Sequence, residues 1–171
     1  MCIRDRRNAI SPTRTRIDQV IRRAIEAIHA RPEFRGSNIV LNAPEDLEGM
    51  FDPRKLERVF FNLILNACEA SQGLDGPITI TAKNTDRDFE IRIKDDGRGI
   101  PECIRDTLFD PFVSHGKPNG TGLGLAIVSK IIQDHSGSVS IEQTSERGTT
   151  VLVRLPFSHQ PDAKGVESAF S

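Results

Sequence analysis

Between residues 16 and 30 the apolar positions Ile17, Val20, Ile21, Ala24, Ile25 and Ile28 recur at three- and four-residue spacing, which predicts an amphipathic helix ended by Pro32. Residues 38–41 read as a short strand. Asp52-Pro53 opens a second helical pattern, with Asp as N-cap and Pro in the first turn, where its missing N–H costs nothing. That pattern runs to about Ser71 and stops at Gly73. Residues 77–83 and 88–94 alternate apolar with polar, the period of a half-buried strand, and predict a hairpin turning through residues 84–87. Residues 101–119 read mostly as loop, with a helical turn around 104–108, before a strongly apolar helix over 123–135 ended by Gly137. Residues 139–143 and 149–156 form a second strand pair turning at 145–148. Strands that follow one another directly, with helices set apart, indicate the α+β class: a two-layer sandwich, its mixed, mostly antiparallel sheet covered on one face by helices.

A chain of 171 residues fits one domain, expected over residues 16–157, and buries enough surface to fold without disulfides or metal. Residues 1–15 read as a non-native or linker segment, Met1 to Arg7 resembling the translated edge of a fragment, and residues 158–171 as a flexible tail. A formal net charge of -1 gives no reason to expect a surface for nucleic acid or anionic membrane, so a bound polyanion has to be held locally. The three cysteines, Cys2, Cys68 and Cys103, show no paired spacing, which suits a reducing, cytoplasmic compartment, and Cys68 reads as a small buried hydrophobe. No apolar run is long enough to span a bilayer.

Three segments carry candidate chemistry. On the second helix a narrow polar stripe, Lys55, Arg58, Asn62, Asn66 and Glu69, crosses an otherwise apolar surface. A solvent face reads the same way. Asn, however, is a poorer helix former than the residues a solvated face usually carries, and two Asn one turn apart suit a hard, oxygen-seeking cation such as Mg²⁺. In Asp95-Asp96-Gly97-Arg98-Gly99-Ile100, the strand period that places Phe89, Ile91 and Ile93 on one face puts Asp95 there too. A core-facing carboxylate is costly unless something donates hydrogen bonds to it, as an exocyclic purine amine does. The alternative is that Asp95 caps a turn. Gly97 and Gly99 leave room for a flat ring. In Gly120-Thr121-Gly122-Leu123-Gly124-Leu125, glycines lead into an apolar helix whose N–H groups can receive phosphates. No Gly-Lys-Ser/Thr follows, so this is not a Walker loop. Between the last two segments, Phe109 and Phe112 bracket a loop with the character of a lid, where His115 or Lys117 can reach phosphates or simply face solvent. His29, His135 and His159 read as structural or surface residues.

These segments, in this order, resemble the catalytic, ATP-binding domain of bacterial sensor histidine kinases, within the superfamily that also holds gyrases, chaperones and mismatch-repair ATPases. The resemblance spans about residues 17–157: an N box at 62–70, a G1 box at 95–100, an F box at 109–112, a G2 box at 120–125, and a closing strand from Gly148-Thr149-Thr150 to Leu155-Pro156. It implies a Bergerat-type fold with a mobile lid over ATP. Asn66 is implied to hold Mg²⁺, with Asn62 assisting metal and phosphates, and these two asparagines are the implied catalytic pair. Asp95 is implied to bind the adenine amino group, with Gly97, Gly99, Ile100 and Thr149 around it. Gly120, Thr121, Gly122, Leu123 and Gly124 are implied to receive the phosphates, with Phe109 and Phe112 seating the lid. Glu69 stands where many members carry a basic residue, and Ala70 where many carry an aromatic one, which shifts phosphate neutralisation toward Lys117. The implied partners are ATP, the phosphoacceptor-histidine hairpin domain of a parent kinase that is free to be membrane-anchored, and a response-regulator receiver domain.

No phosphoacceptor motif precedes Arg16, and His29-Ala30-Arg31-Pro32 does not match one, so the fragment is expected to lack its own acceptor, to make no contact with nucleic acid or membrane, and to be a monomer. Within the superfamily two other readings stand beside phosphotransfer to histidine. One is an ATP hydrolase, which needs a glutamate base where this chain has Asn62. The other is an ATP-binding switch or an anti-sigma-type protein-serine kinase.

Overall fold

The computed structural model describes residues 10–110 and 124–157. The expectations for Phe112, His115, Lys117, Gly120, Thr121, Gly122, Leu123, residues 1–9 and the tail lie outside the described residues.

The elements run β1 (Thr13–Arg16), α1 (Ile17–His29), a 3₁₀ turn (Pro32–Phe34), β2 (Ile39–Asn42), β3 (Glu48–Phe51), α2 (Pro53–Ala70), β4 (Ile78–Asn84), β5 (Asp88–Asp95), α3 (Glu102–Arg105), α4 (Gly124–Asp134), β6 (Ser138–Ser145) and β7 (Gly148–Pro156). The main sheet has five strands in the order β2-β4-β5-β7-β6. Its first pair is parallel and the others antiparallel, so the sheet is mixed and mostly antiparallel, as the patterning predicted. Alternation does the sorting: Phe89, Ile91 and Ile93 of β5 are buried and join Ile80 of β4 and Val153 of β7 in one core with Ile21, Phe60, Ile64 and Ile132 of the helices. Burying each such side chain is worth about 1.5–3 kcal/mol. The opposite face of the sheet carries ion pairs. Arg92 grips Glu142 with two nitrogens, at 2.9 and 2.8 Å, and also reaches Glu90, which Lys83 and Arg154 approach as well.

Three departures from the pattern have physical causes. Thr13 to Thr15 were expected in a linker and β3 was not expected at all, yet these segments pair antiparallel from Thr13↔Phe51 to Arg16↔Glu48. Neither Thr13-Arg14-Thr15-Arg16 nor Glu48-Gly49-Met50-Phe51 alternates cleanly, and each is held by the other and by Thr15, whose hydroxyl donates to the Phe51 carbonyl at 3.1 Å. The short helix α3 begins before the expected 104–108 turn, with Pro101 at its N-cap. Finally, α4 ends at Asp134, and the left-handed residue that closes it is Ser136 (φ 61), not Gly137. Ser136 N–H donates to Gln133 and Gly137 N–H to Ile132, each at 2.9 Å, the paired bonds of a Schellman cap.

Candidate nucleotide site

The site begins with how α2 is anchored. Asp52 caps it, Oδ1 accepting the Lys55 N–H at 3.2 Å while Oδ2 accepts the Ser11 N–H at 2.9 Å. Its Leu56, Phe60, Leu63, Ile64 and Ala67 are buried, and that burial fixes the rotation of the helix about its axis. Asn62 and Asn66, one turn apart, are thereby held half-buried on a shared face. Gly124, the first residue of α4, lies beside Asn62: a Cβ placed there would sit 3.9 Å from Asn62 Oδ1.

At the end of β5, Asp95 is buried at 5% exposure, in register with Thr149 of β7. Its Oδ1 accepts the Gly97 N–H at 2.9 Å, and the Thr149 backbone also hydrogen-bonds the carboxylate. Burial pushes the carboxyl above its ordinary value, the two backbone donors oppose that, and the neighbouring Asp96 adds to it. Thr149 is itself buried and its hydroxyl lies 2.9 Å from that of Thr144, which accepts the Ile100 N–H at 2.9 Å. A string of bonds thus ties the loop after Asp95 to the strands flanking the β6–β7 turn.

The two glycines of the G1 segment serve the protein backbone. A Cβ on Gly97 would lie 2.6 Å from the Ala70 carbonyl oxygen at the end of α2. Gly99 has φ +75 and packs directly on the Ser145 carbonyl, so it is required twice over. Space for a flat ring was the expectation at these positions; the described contacts are close backbone approaches that seat α2 and β6 against the turn.

Of the remaining expected residues, Glu69 is half-buried near the end of α2, and Phe109 is half-buried beyond α3. Cys68 is buried as expected, with burial pushing its thiol up against an opposing hydrogen bond from Ser37. His135, which the sequence left as structural or surface, is structural. It is 1% exposed and lies between the end of α4 and the start of α2, its Nε2 accepting the Asp52 N–H at 3.0 Å. A histidine just past an apolar helix, with an Asp-Pro N-cap elsewhere, was the available signal, but nothing local joins the two.

A five-stranded mixed sheet is backed by helices, with a buried carboxylate at a strand end and an asparagine pair on the adjoining helix, and comparison with known proteins places this fold in a family of ATPases. The chain belongs to the family of histidine kinase-, DNA gyrase B- and HSP90-like ATPases, whose profile matches residues 51–159. Similar curated proteins include the sensory histidine kinase/phosphatase NtrB of Rhodobacter capsulatus, 41% identical across 61% of this chain and 32% of that protein. Sensor histidine kinase ZraS of Escherichia coli is 37% identical across 61% of this chain and 22% of that protein. The chain therefore spans no more than about a third of the length of these relatives. Among solved structures, the nucleotide-free catalytic domain of histidine kinase ThkA matches with a TM-score of 0.75 and 30% identity, over 87% of this chain and 97% of that one.

Proposed function

We propose that this domain is the catalytic half of a sensor histidine kinase, transferring the γ-phosphoryl group of ATP to a histidine on a separate hairpin domain. The imidazole nitrogen of that acceptor forms the new N–P bond as the bond from the γ-phosphorus to the ADP oxygen breaks, and ADP leaves. An aspartate on a response-regulator receiver domain takes the phosphoryl group next.

The observation that carries this reading is Asp95. A carboxylate at 5% exposure, with backbone donors from Gly97 and Thr149 among the described residues, retains acceptor capacity for the exocyclic amine of adenine. Asn62 and Asn66 then face the polyphosphate, beside the start of α4 at Gly124. Glu69, Ile100, Phe109 and Thr149, with Gly97 and Gly99, complete the nucleotide-binding set as the family pattern assigns it.

The donor chemistry at α2 fits Mg²⁺, since asparagine offers hard amide oxygens. Among the described residues no group of three or more His, Cys, Asp or Glu is placed to hold a metal; Asn66 would hold the ion together with phosphate oxygens of the nucleotide. Bound there, Mg²⁺ supplies charge neutralisation on the transferring phosphate. Catalysis by the chain's own residues is positioning and electrostatic stabilisation. Hydrolysis is disfavoured because Asn62 cannot act as the base that activates water.

Among the described residues no helix is long and apolar enough to cross a membrane, and a cytoplasmic location suits a domain that draws on ATP. The test is calorimetry of a non-hydrolysable ATP analogue with and without Mg²⁺, followed by phosphotransfer from ATP to a hairpin domain supplied in trans. Mg²⁺-enhanced binding and a phosphohistidine product are expected. Absence of nucleotide binding overturns the proposal, and binding without transfer to any hairpin favours the non-catalytic switch.

A further inference from the structure

The two helices that carry Asn62 and Gly124 meet a second time, at the far end of α4. There His135 is buried and uses both ring nitrogens. Nδ1 lies 2.8 Å from the Ile131 carbonyl of its own helix and Nε2 lies 3.0 Å from the Asp52 backbone nitrogen. A backbone N–H can only donate, so Nε2 is the acceptor and Nδ1 carries the proton that bonds Ile131. The imidazole is neutral, in one tautomer, and packed 6.0 Å from the Phe51 ring.

Asp52 is the partner that matters. Its carboxylate caps α2 through Lys55, its carbonyl accepts the Leu56 N–H at 3.0 Å, and its second carboxylate oxygen holds the Ser11 N–H. The bond from Asp52 N–H to His135 therefore joins the first turn of α2 to the last turn of α4. Along α2, Asn62 lies ten residues past Asp52, about 15 Å at the rise of a helix. Along α4, Gly124 lies eleven residues before His135, a closely similar length. The joint and the Asn62–Gly124 approach thus lie at opposite ends of α4, and at the start and the middle of α2. A slip at His135 is carried along a rigid helix to the place where Gly124 meets Asn62.

We propose that His135 is a positioning residue for the polyphosphate end of the nucleotide site, acting through Asp52 to hold the start of α4 against Asn62. This rests on the nucleotide-site reading above. It separates the two ends of the ligand: adenine binding belongs to Asp95 on the sheet, which the joint does not touch, whereas phosphate binding belongs to the helix pair.

The experiment compares the affinities of Mg²⁺–ATP and of adenosine for the whole chain and for three variants, with folding monitored by circular dichroism. His135→Asn keeps a donor for Ile131 but ends short of the Asp52 N–H. His135→Gln extends an acceptor to the Nε2 position. His135→Leu fills the space and lacks both functions. The expected result is that His135→Asn and His135→Leu weaken Mg²⁺–ATP binding about tenfold or more while adenosine affinity stays within about twofold, and that His135→Gln recovers most of the loss. Should His135→Leu fail to fold, the Asn and Gln pair carries the comparison. Equal losses for both ligands, or a lowered melting temperature with ATP affinity unchanged, overturn the proposal and leave His135 a purely structural residue. A wild-type chain that binds adenosine but not ATP, or neither, overturns the nucleotide-site reading and this proposal with it.

Discussion

The Oδ1 of Asp95 accepts the Gly97 N–H at 2.9 Å, so the residue proposed to read adenine is also the residue that shapes the turn after its own strand. The same glycine is pressed against the Ala70 carbonyl, which ends the helix bearing Asn62 and Asn66. The carboxylate proposed to read adenine and the helix proposed to hold the metal are therefore set against each other through a single residue without a side chain.

Asp95→Asn tests the first half of that relationship. The amide keeps an oxygen for Gly97 but presents the wrong charge and donor pattern to an adenine amine. ATP affinity is expected to fall by about 1–3 kcal/mol, roughly five- to 150-fold, measured by calorimetry. Burial holds this carboxyl above its ordinary value. A carboxyl whose folded pKa is raised contributes stability at low pH and loses it as pH rises through the folded value, so at neutral pH the ionised group is a cost to the ligand-free fold. The variant is therefore expected to melt at the wild-type temperature or above while losing its ligand. Unchanged ATP affinity would remove Asp95 from the site.

Asn66→Ala is expected to abolish the enhancement of ATP binding by Mg²⁺ while leaving adenosine affinity near wild type, because the amide oxygen proposed to hold the ion is removed while alanine keeps the helix. Titrations of both ligands with and without the metal give the answer, and a retained Mg²⁺ effect would sink the metal assignment.

Gly97→Ala tests the second half of the Asp95–Gly97 relationship. Its Cβ would lie 2.6 Å from the Ala70 carbonyl oxygen, whereas a Cβ on Gly36 meets nothing within 4 Å. Crowding of that kind costs about 1–3 kcal/mol. Gly36→Ala is expected to stay within about 0.5 kcal/mol of wild type. Urea denaturation of the two variants side by side measures the contrast.

His135 gives the fold a pH dependence with a defined sign. Burial pulls its pKa below the ordinary value, with Lys55 acting the same way, and the Ile131 carbonyl, Asp52 and Asp134 opposing it. A protonated ring would also face the Asp52 N–H with a second donor. Stability from this group is therefore complete above the unfolded value near 6.5 and is lost as pH falls below it, at up to about 1.4 kcal/mol per pH unit until the folded pKa is reached. Urea midpoints at pH 7.5 and 5.5 are expected to differ more for wild type than for His135→Gln, which has no proton to gain.

What the sequence by itself determined is what depends on neighbours along the chain. The apolar period from Ile17 to Ile28 and the Asp52-Pro53 start of α2 specify helices because side chains three and four apart share a face. The alternation around Ile91 specifies a strand that carries Asp95 inward with the core residues, so the buried position of that carboxylate was legible from period alone. The tertiary structure decided what depends on residues distant in the chain. β1 and β3 are four residues each, without a clean alternation, and exist because they pair across more than thirty residues of sequence. Gly99 needs no side chain because the Ser145 carbonyl, brought round by the β6–β7 turn, occupies that space. His135 read as structural or surface from the sequence, and only the packing of the end of α4 against Asp52, eighty-three positions away, decided between the two. Local backbone preferences are written in short windows of sequence, whereas a buried hydrogen bond between two helix ends is set by how their apolar faces settle into one core.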